Sequence, residues 1–255
     1  MAQSSESVVR YLEDKSLSIL SDAIAEVRAS SGPSLQNVSD DDLRVALYTV
    51  LLRIIDTIRE RGAEESAEKA TVPAVFREFA RNLMEFIDAQ SAYTVGHTRK
   101  VVQHVVHMAS RLNLSDQEVS DLELAAWIHN IGLINQHHKL ATLARPLSPD
   151  ELKQARNHTV IGAEMIRPIE FLAHLVPVVR LHHNHFNGGG GTYDPRGDAL
   201  PLGSRLIALA DAYQAMLEPR AYRDAFPREE ALAEIQKGAG TQFDPQLVQF
   251  ARELT

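Results

Sequence analysis

A chain of 255 residues with 44% hydrophobic content has the apolar mass to bury one large core or two modest ones. Its formal net charge of -8 offers no basic face to DNA, RNA or anionic lipid. With no cysteine there is neither a disulfide nor a thiolate centre, so any metal must be held by imidazole and oxygen.

The pattern is helical nearly throughout, with no internal repeat and no convincing strand. Met1 to Lys15 is polar and charged and lacks the apolar core of a signal peptide. The apolar run Val45 to Leu52 is too short to span a bilayer and is followed by Arg53. These features predict a cytoplasmic protein. A first helix is expected from about Glu6 to Arg28, broken by the segment Ser30 to Ser34 with its Gly32 and Pro33. Ser39 and the aspartates after it cap a second, along which Leu43, Leu47, Val50, Leu51, Ile54, Ile55 and Ile58 follow at helical spacing. The charged stretch Arg59 to Lys69 reads as a solvated helix end or linker. Residues 1–72 carry 13 acidic and 8 basic side chains, a net of -5, and so hold most of the acidity. They are expected to be a helical segment serving input, homodimerisation or padding of the core.

From residue 73 to 255 the helices come faster. One covers Phe76 to Asp88 and another His97 to Leu112, with Val101, Val102, Val105, Val106 and Met108 apolar. Ser115 and Glu118 have the spacing of a capping box, opening a helix that ends near His129. Ser148 with Pro149 repeats the start signal, with proline at the first helical position. Residues 184–200 contain Gly188 to Gly191, Pro195 and Gly197 and read as a loop. A helix carrying Asp211 follows Pro201. The fold class is therefore all-α.

All eleven histidines lie between His97 and His185. His97, His129, His158 and the pair His182-His183, with Asp211, are spaced as separate helices would have to supply them to one metal site. A two-metal phosphodiesterase also needs a ligand shared by both ions, usually a carboxylate. An Asp directly after a helix-end His provides it, because neighbouring side chains diverge by about 100° and can serve one site but different ions. After His129 this chain has Asn130. A lone helical histidine is more commonly packing or surface than ligand. That reading holds for His104, His107, His137, His138, His174 and His185.

Taken with their neighbours, the motifs resemble a known family. Ala92 to His97, Trp127 to Leu133, Asn157-His158, His182-His183 and Ala208 to Asp211 look like the successive motifs of the HD-GYP family. That family is part of the HD superfamily of metal-dependent phosphohydrolases. Asn187 to Gly190 occupies the place of its Asp-Gly-x-Gly, and Pro201, Arg205, the segment Arg220 to Arg223, and Phe243 to Pro245 follow in family order. The resemblance covers roughly residues 75–255. It implies an all-helical domain, cyclic di-GMP hydrolysis at a two- or three-metal centre, and metal ligands at His97, His129, His158, His182, His183 and Asp211. It also implies ligand contacts from Arg205, Arg220 and Arg223.

The chain departs from the pattern where the chemistry is done. Asn130 replaces the bridging Asp, and an amide has one useful metal-binding oxygen and no charge. Leu133 replaces a Lys expected one helical turn from His129, Asn184 a Glu, Gly191-Thr192 the Tyr-Pro, and Gln214 a second Asp. His97, His129 and Asp211 still suffice for one ion with open positions, while His158 and His182 would hold a second weakly. The expected cofactor is one divalent ion (Fe, Mn or Zn) at reduced occupancy, or none. Three functions stay open: a non-catalytic signalling module that binds other signalling proteins, a one-metal phosphodiesterase or phosphomonoesterase, and a cyclic-dinucleotide receptor.

Overall fold

The computed structural model describes residues 72–89, 93–135, 143, 145–189 and 195–254. The expected helices before residue 72, the dimerisation reading, His137, His138 and Gly191-Thr192 lie outside the described residues. The chain divides after Leu83 into two compact units. Of the first, residues 72–83 are described as the opening turns of a helix, α1 (Val72–Ala89), with Ala80 and Leu83 buried.

The second unit is built of α2 (His97–Ala109), α3 (Asp116–Ile128), α4 (Pro149–Arg156), α5 (His158–Ile166), α6 (Val176–Leu181), α7 (Leu202–Leu217), α8 (Arg228–Lys237) and α9 (Pro245–Val248). Short 3-10 segments sit at Ile131–Asn135, Glu170–Leu175, Gly197–Ala199 and Gln249–Glu253. Among the described residues there is no strand, only isolated bridges such as Arg220 with Arg223. The fold is all-α. No described helix is long and apolar enough to cross a membrane.

The apolar face of α7 is the centre of this unit. Leu206, Ile207, Leu209, Ala210 and Tyr213 are fully buried, and α2, α3, α6, α8 and α9 all pack on this helix. Fully burying one such side chain is worth about 1.5–3 kcal/mol, so α7 fixes the register of its neighbours and of the polar groups it carries.

Local signals set the helix starts. Both expected capping boxes form: Ser115 Oγ accepts from Glu118 N–H at 3.3 Å and Glu118 returns to Ser115 N–H at 2.8 Å, and Ser148 pairs with Glu151 in the same way. The start of α2 is handled differently. Its N-cap is Gly96 at φ 75°, a left-handed conformation that suits glycine and brings no side chain to cap with. Asp88 in α1 supplies the missing acceptor, taking Thr98 N–H at 2.7 Å and Thr98 Oγ1–H at 3.0 Å. This anchors the helix whose first residue is His97.

The helix expected to end near His129 does so, α3 stopping at Ile128, while Leu133, expected one helical turn on from His129, lies in the following 3-10 segment with its N–H bonded to Asn130 O at 2.9 Å. That segment makes a close crossing. A Cβ on Gly132 would stand 2.1 Å from His158 O and 2.7 Å from Gly162 N, so glycine alone allows this segment to press onto α5. The Gly132→Ala substitution should therefore destabilise the protein by about 1–3 kcal/mol, read as a lower urea midpoint. An unchanged midpoint would mean that the crossing is looser than described.

Candidate metal centre

Three of the candidate histidines share one local device. A helix leaves its last carbonyls without partners. His129, just after α3, donates Nδ1–H to Ala126 O at 2.7 Å. His158, just after the end of α4, donates to Ala155 O at 2.7 Å, and His182, just after α6, to Val179 O at 2.7 Å. A carbonyl only accepts, so each ring must carry its proton on Nδ1 and present an unprotonated Nε2.

Those Nε2 atoms gather in two groups. Ligand atoms of His97, His129 and Asp211 lie within 4.8 Å of one another, and so do those of His158, His182 and His183. The groups adjoin, since the His129 and His182 rings meet edge to face with centroids 5.1 Å apart. His129 Nε2 is buried and has no hydrogen-bond partner. His158 Nε2 and His182 Nε2 are 3.3 Å apart; between neutral rings that already donate through Nδ1, this is two lone pairs facing each other rather than a hydrogen bond. A buried orphan acceptor and a facing pair of lone pairs are what a cation relieves. The donors, nitrogen with one carboxylate, suit a borderline divalent metal. The residues fit such an ion.

Burial holds His129 and His158 near a pKa of about 4 and His183 near about 3, and keeps His182 well below its usual range. They are neutral at physiological pH and ligate without first losing a proton. His97 differs. Burial alone would lower it, but hydrogen bonds to Asp211 Oδ1 (2.9 Å from Nε2) and Glu218 Oε2 (2.8 Å from Nδ1) outweigh that and raise it well above the imidazole range. Asp211, which burial would push up, is held far below the usual carboxylate range by His97. In the metal-free chain a proton on His97 Nε2 therefore sits between imidazole and carboxylate, in the place a cation would take.

Asn130 and Asn184 are buried and Leu133 half-buried. Arg205 Nη1 binds Asp198 at 3.0 Å and Asp244 at 2.6 Å, tying α7 to the cap of α9. Arg223 donates to Met216 O, Asp224 O and Ala215 O and lies over the Phe226 ring, closing the end of α7. Arg220 Nη2 stands 3.6 Å from Glu218 Oε2 and so is linked to His97 through that carboxylate. His107 and His174 are surface partners of Glu253 and Asp121, and His185 is half-buried. Sequence reasoning missed Glu218 and the buried partners of Gln214 and His104. The available signal was spacing: positions 211, 214 and 218 fall on one face of a helix, as do 97 and 104.

The neutral histidines set a pH dependence. Below pH 6.5 the unfolded chain takes up protons that buried His129, His158 and His182 and half-buried His183 refuse, so stability falls as pH drops from 6.5 towards about 4. A displacement like that of His129, from 6.5 to about 4, is worth about 3 kcal/mol. His97 acts in the opposite sense: its contribution is fully present below 6.5 and is lost progressively as pH rises from 6.5 to about 10. The metal-free chain should thus lose melting temperature steeply between pH 6.5 and 4, as calorimetry would record. A flat profile there would contradict neutral, buried imidazoles.

Comparison with known proteins agrees with this arrangement. Residues 81–247 match the HD domain family. The chain is 30% identical over 162 residues to the cyclic di-GMP phosphodiesterase response regulator RpfG of Xanthomonas campestris, covering 61% of this chain and 43% of that protein. It is 26% identical over 234 residues to the 3'3'-cGAMP-specific phosphodiesterase 3 of Vibrio cholerae, covering 89% of this chain and 51% of the relative. This chain thus spans about half the length of these relatives. Among solved structures, a Bdellovibrio bacteriovorus protein described as an HDG"Y"P protein superposes with a TM-score of 0.56 at 16% identity, over 94% of this chain and 80% of that one. That superposition supports the fold. With the family match over most of its length and the motifs at His97, His129, His158, His182 and Asp211, the chain belongs to the HD domain family and is HD-GYP-like.

Proposed function

We propose that this protein is a metal-binding signalling module of the HD-GYP kind in which hydrolysis of cyclic dinucleotides is absent or very slow. The observation that carries the reading is the charge of the ligand set. Of the six side chains in the two groups, Asp211 alone is a carboxylate, and beside His129 stands the uncharged Asn130. Two divalent ions about 4 Å apart, as two-metal hydrolases hold them, repel by on the order of 15 kcal/mol at an effective dielectric near 20. A bridging carboxylate offsets part of that, and here it is missing.

One ion on His97, His129 and Asp211 is therefore favoured, with the all-histidine group weak or empty. A divalent ion so held supplies Lewis acidity and an acidified water. This chain's own residues add little for a phosphodiester: position 133 offers leucine in place of an ammonium. The role left is regulatory, through a bound cyclic dinucleotide or a partner protein. A second reading, a one-metal hydrolase, is favoured by the His-His-Asp composition of the first group, which matches catalytic zinc sites with open positions.

Turnover of cyclic di-GMP and 3'3'-cGAMP by the purified, metal-loaded protein separates the readings. Each missing electrostatic contact is worth about 3 kcal/mol, or on the order of 100-fold in rate, so little or no product is expected. The substitution Asn130→Asp should raise metal loading more than turnover, and adding Leu133→Lys should raise turnover further. Wild-type turnover near 1 per second or faster, the ordinary enzyme range of roughly 1–1000 per second, would overturn the proposal. Tight nucleotide binding without product would identify the regulatory ligand.

A further inference from the structure

The structure assigns Glu218 as a positioning residue for His97, braced by Gln214 and His104; this rests on the reading that His97 holds an ion. His97 does not use the device of the other buried histidines. It opens α2, and the carbonyl three residues back, Thr94 O, is already taken by its own backbone N–H at 3.0 Å. Its Nδ1 is met instead by Glu218 Oε2 at 2.8 Å, from the end of α7.

The network has one direction. Glu218 is a carboxylate and can only accept, so His97 must carry its proton on Nδ1 and turn Nε2 toward Asp211. The other Glu218 oxygen accepts from Gln214 Nε2 at 2.7 Å, which fixes the amide so that Gln214 Oε1 faces His104 Nε2 at 3.2 Å. His104, Gln214 and Glu218 are 3%, 2% and 8% exposed, so the chain of contacts is shielded from water along its length. An Asp at position 214, as the HD-GYP pattern has, would set a second carboxylate against Glu218. The amide is what lets Glu218 face His97 singly. A carboxylate behind a ligating imidazole raises its basicity and fixes its ring, and here it adds a negative charge close to a ligand set short of one.

The test uses the full chain, Zn2+ as the probe, and nitrogen NMR of the His97 ring. Glu218→Gln keeps size and removes charge; it should weaken Zn2+ binding at His97 by about 10–100-fold, with Gln214→Leu giving a smaller loss. In metal-free wild type the His97 Nδ1 proton should be strongly deshielded, and in Glu218→Gln that signature should vanish. Affinity within about twofold of wild type for Glu218→Gln, on the scale of that 10–100-fold expectation, would overturn the assignment. Should the variant not fold, an unprotonated Nδ1 on His97 in the wild-type protein would overturn it equally. If wild type takes up no Zn2+, the metal-binding proposal fails, while the metal-free spectrum still decides whether Glu218 orders His97.

Discussion

The centre depends on one small interaction repeated three times: an imidazole Nδ1–H given to a carbonyl in the last turn of a helix. At Ala126, Ala155 and Val179 the bond is 2.7 Å long. Each instance does two jobs. It ties the ring to the main chain, and it dictates which ring nitrogen stays free. Because the acceptor is main chain, ring orientation follows from where the helix stops. The placing of these rings is thus a property of helix termini, and packing on α7 fixes those of α3 and α6.

That arrangement has a cost that accounts for the chemistry. Four imidazoles are held uncharged in one cluster, two of them with lone pairs facing each other at 3.3 Å. No proton or carboxylate of the all-histidine group relieves this, whereas the other group has Asp211 and, behind it, Glu218. The two groups are equal in number of ligands and unequal in charge. On the proposed reading an ion is drawn to the side that carries the carboxylates, and the uncharged Asn130 offers a second ion no countercharge. The asymmetry follows from the side chains themselves rather than from the fold, which supplies both groups.

Much of this was legible in the sequence. Clustering of every histidine into one stretch, and their placement on successive helices, pointed to the side chains that the fold gathers into two groups able to hold a metal. Ser115 with Glu118 and Ser148 with Glu151 announced their helices through cap chemistry that is local and therefore readable. What could not be read was long-range. The sorting of ligands into two groups depends on how α3, α5 and α6 approach each other. The close seating of the segment after His129 depends on Gly132 meeting the His158 carbonyl, a contact between segments far apart in sequence. Gln214 looked like the loss of an acid; in place, it is the amide that lets Glu218 serve. Arg205 and Arg223 looked like candidates for ligand contact, and their guanidinium groups are engaged with Asp244 and the end of α7.

The central claim is that the six ligands hold one ion rather than two. Crystals of protein purified with its native metal, measured by anomalous diffraction at the metal edge together with elemental analysis, test it directly. The account predicts one strong peak bounded by His97, His129 and Asp211 and little or nothing at His158, His182 and His183. Two peaks of full and equal occupancy would contradict it, and would show that Asn130 supports a shared centre after all.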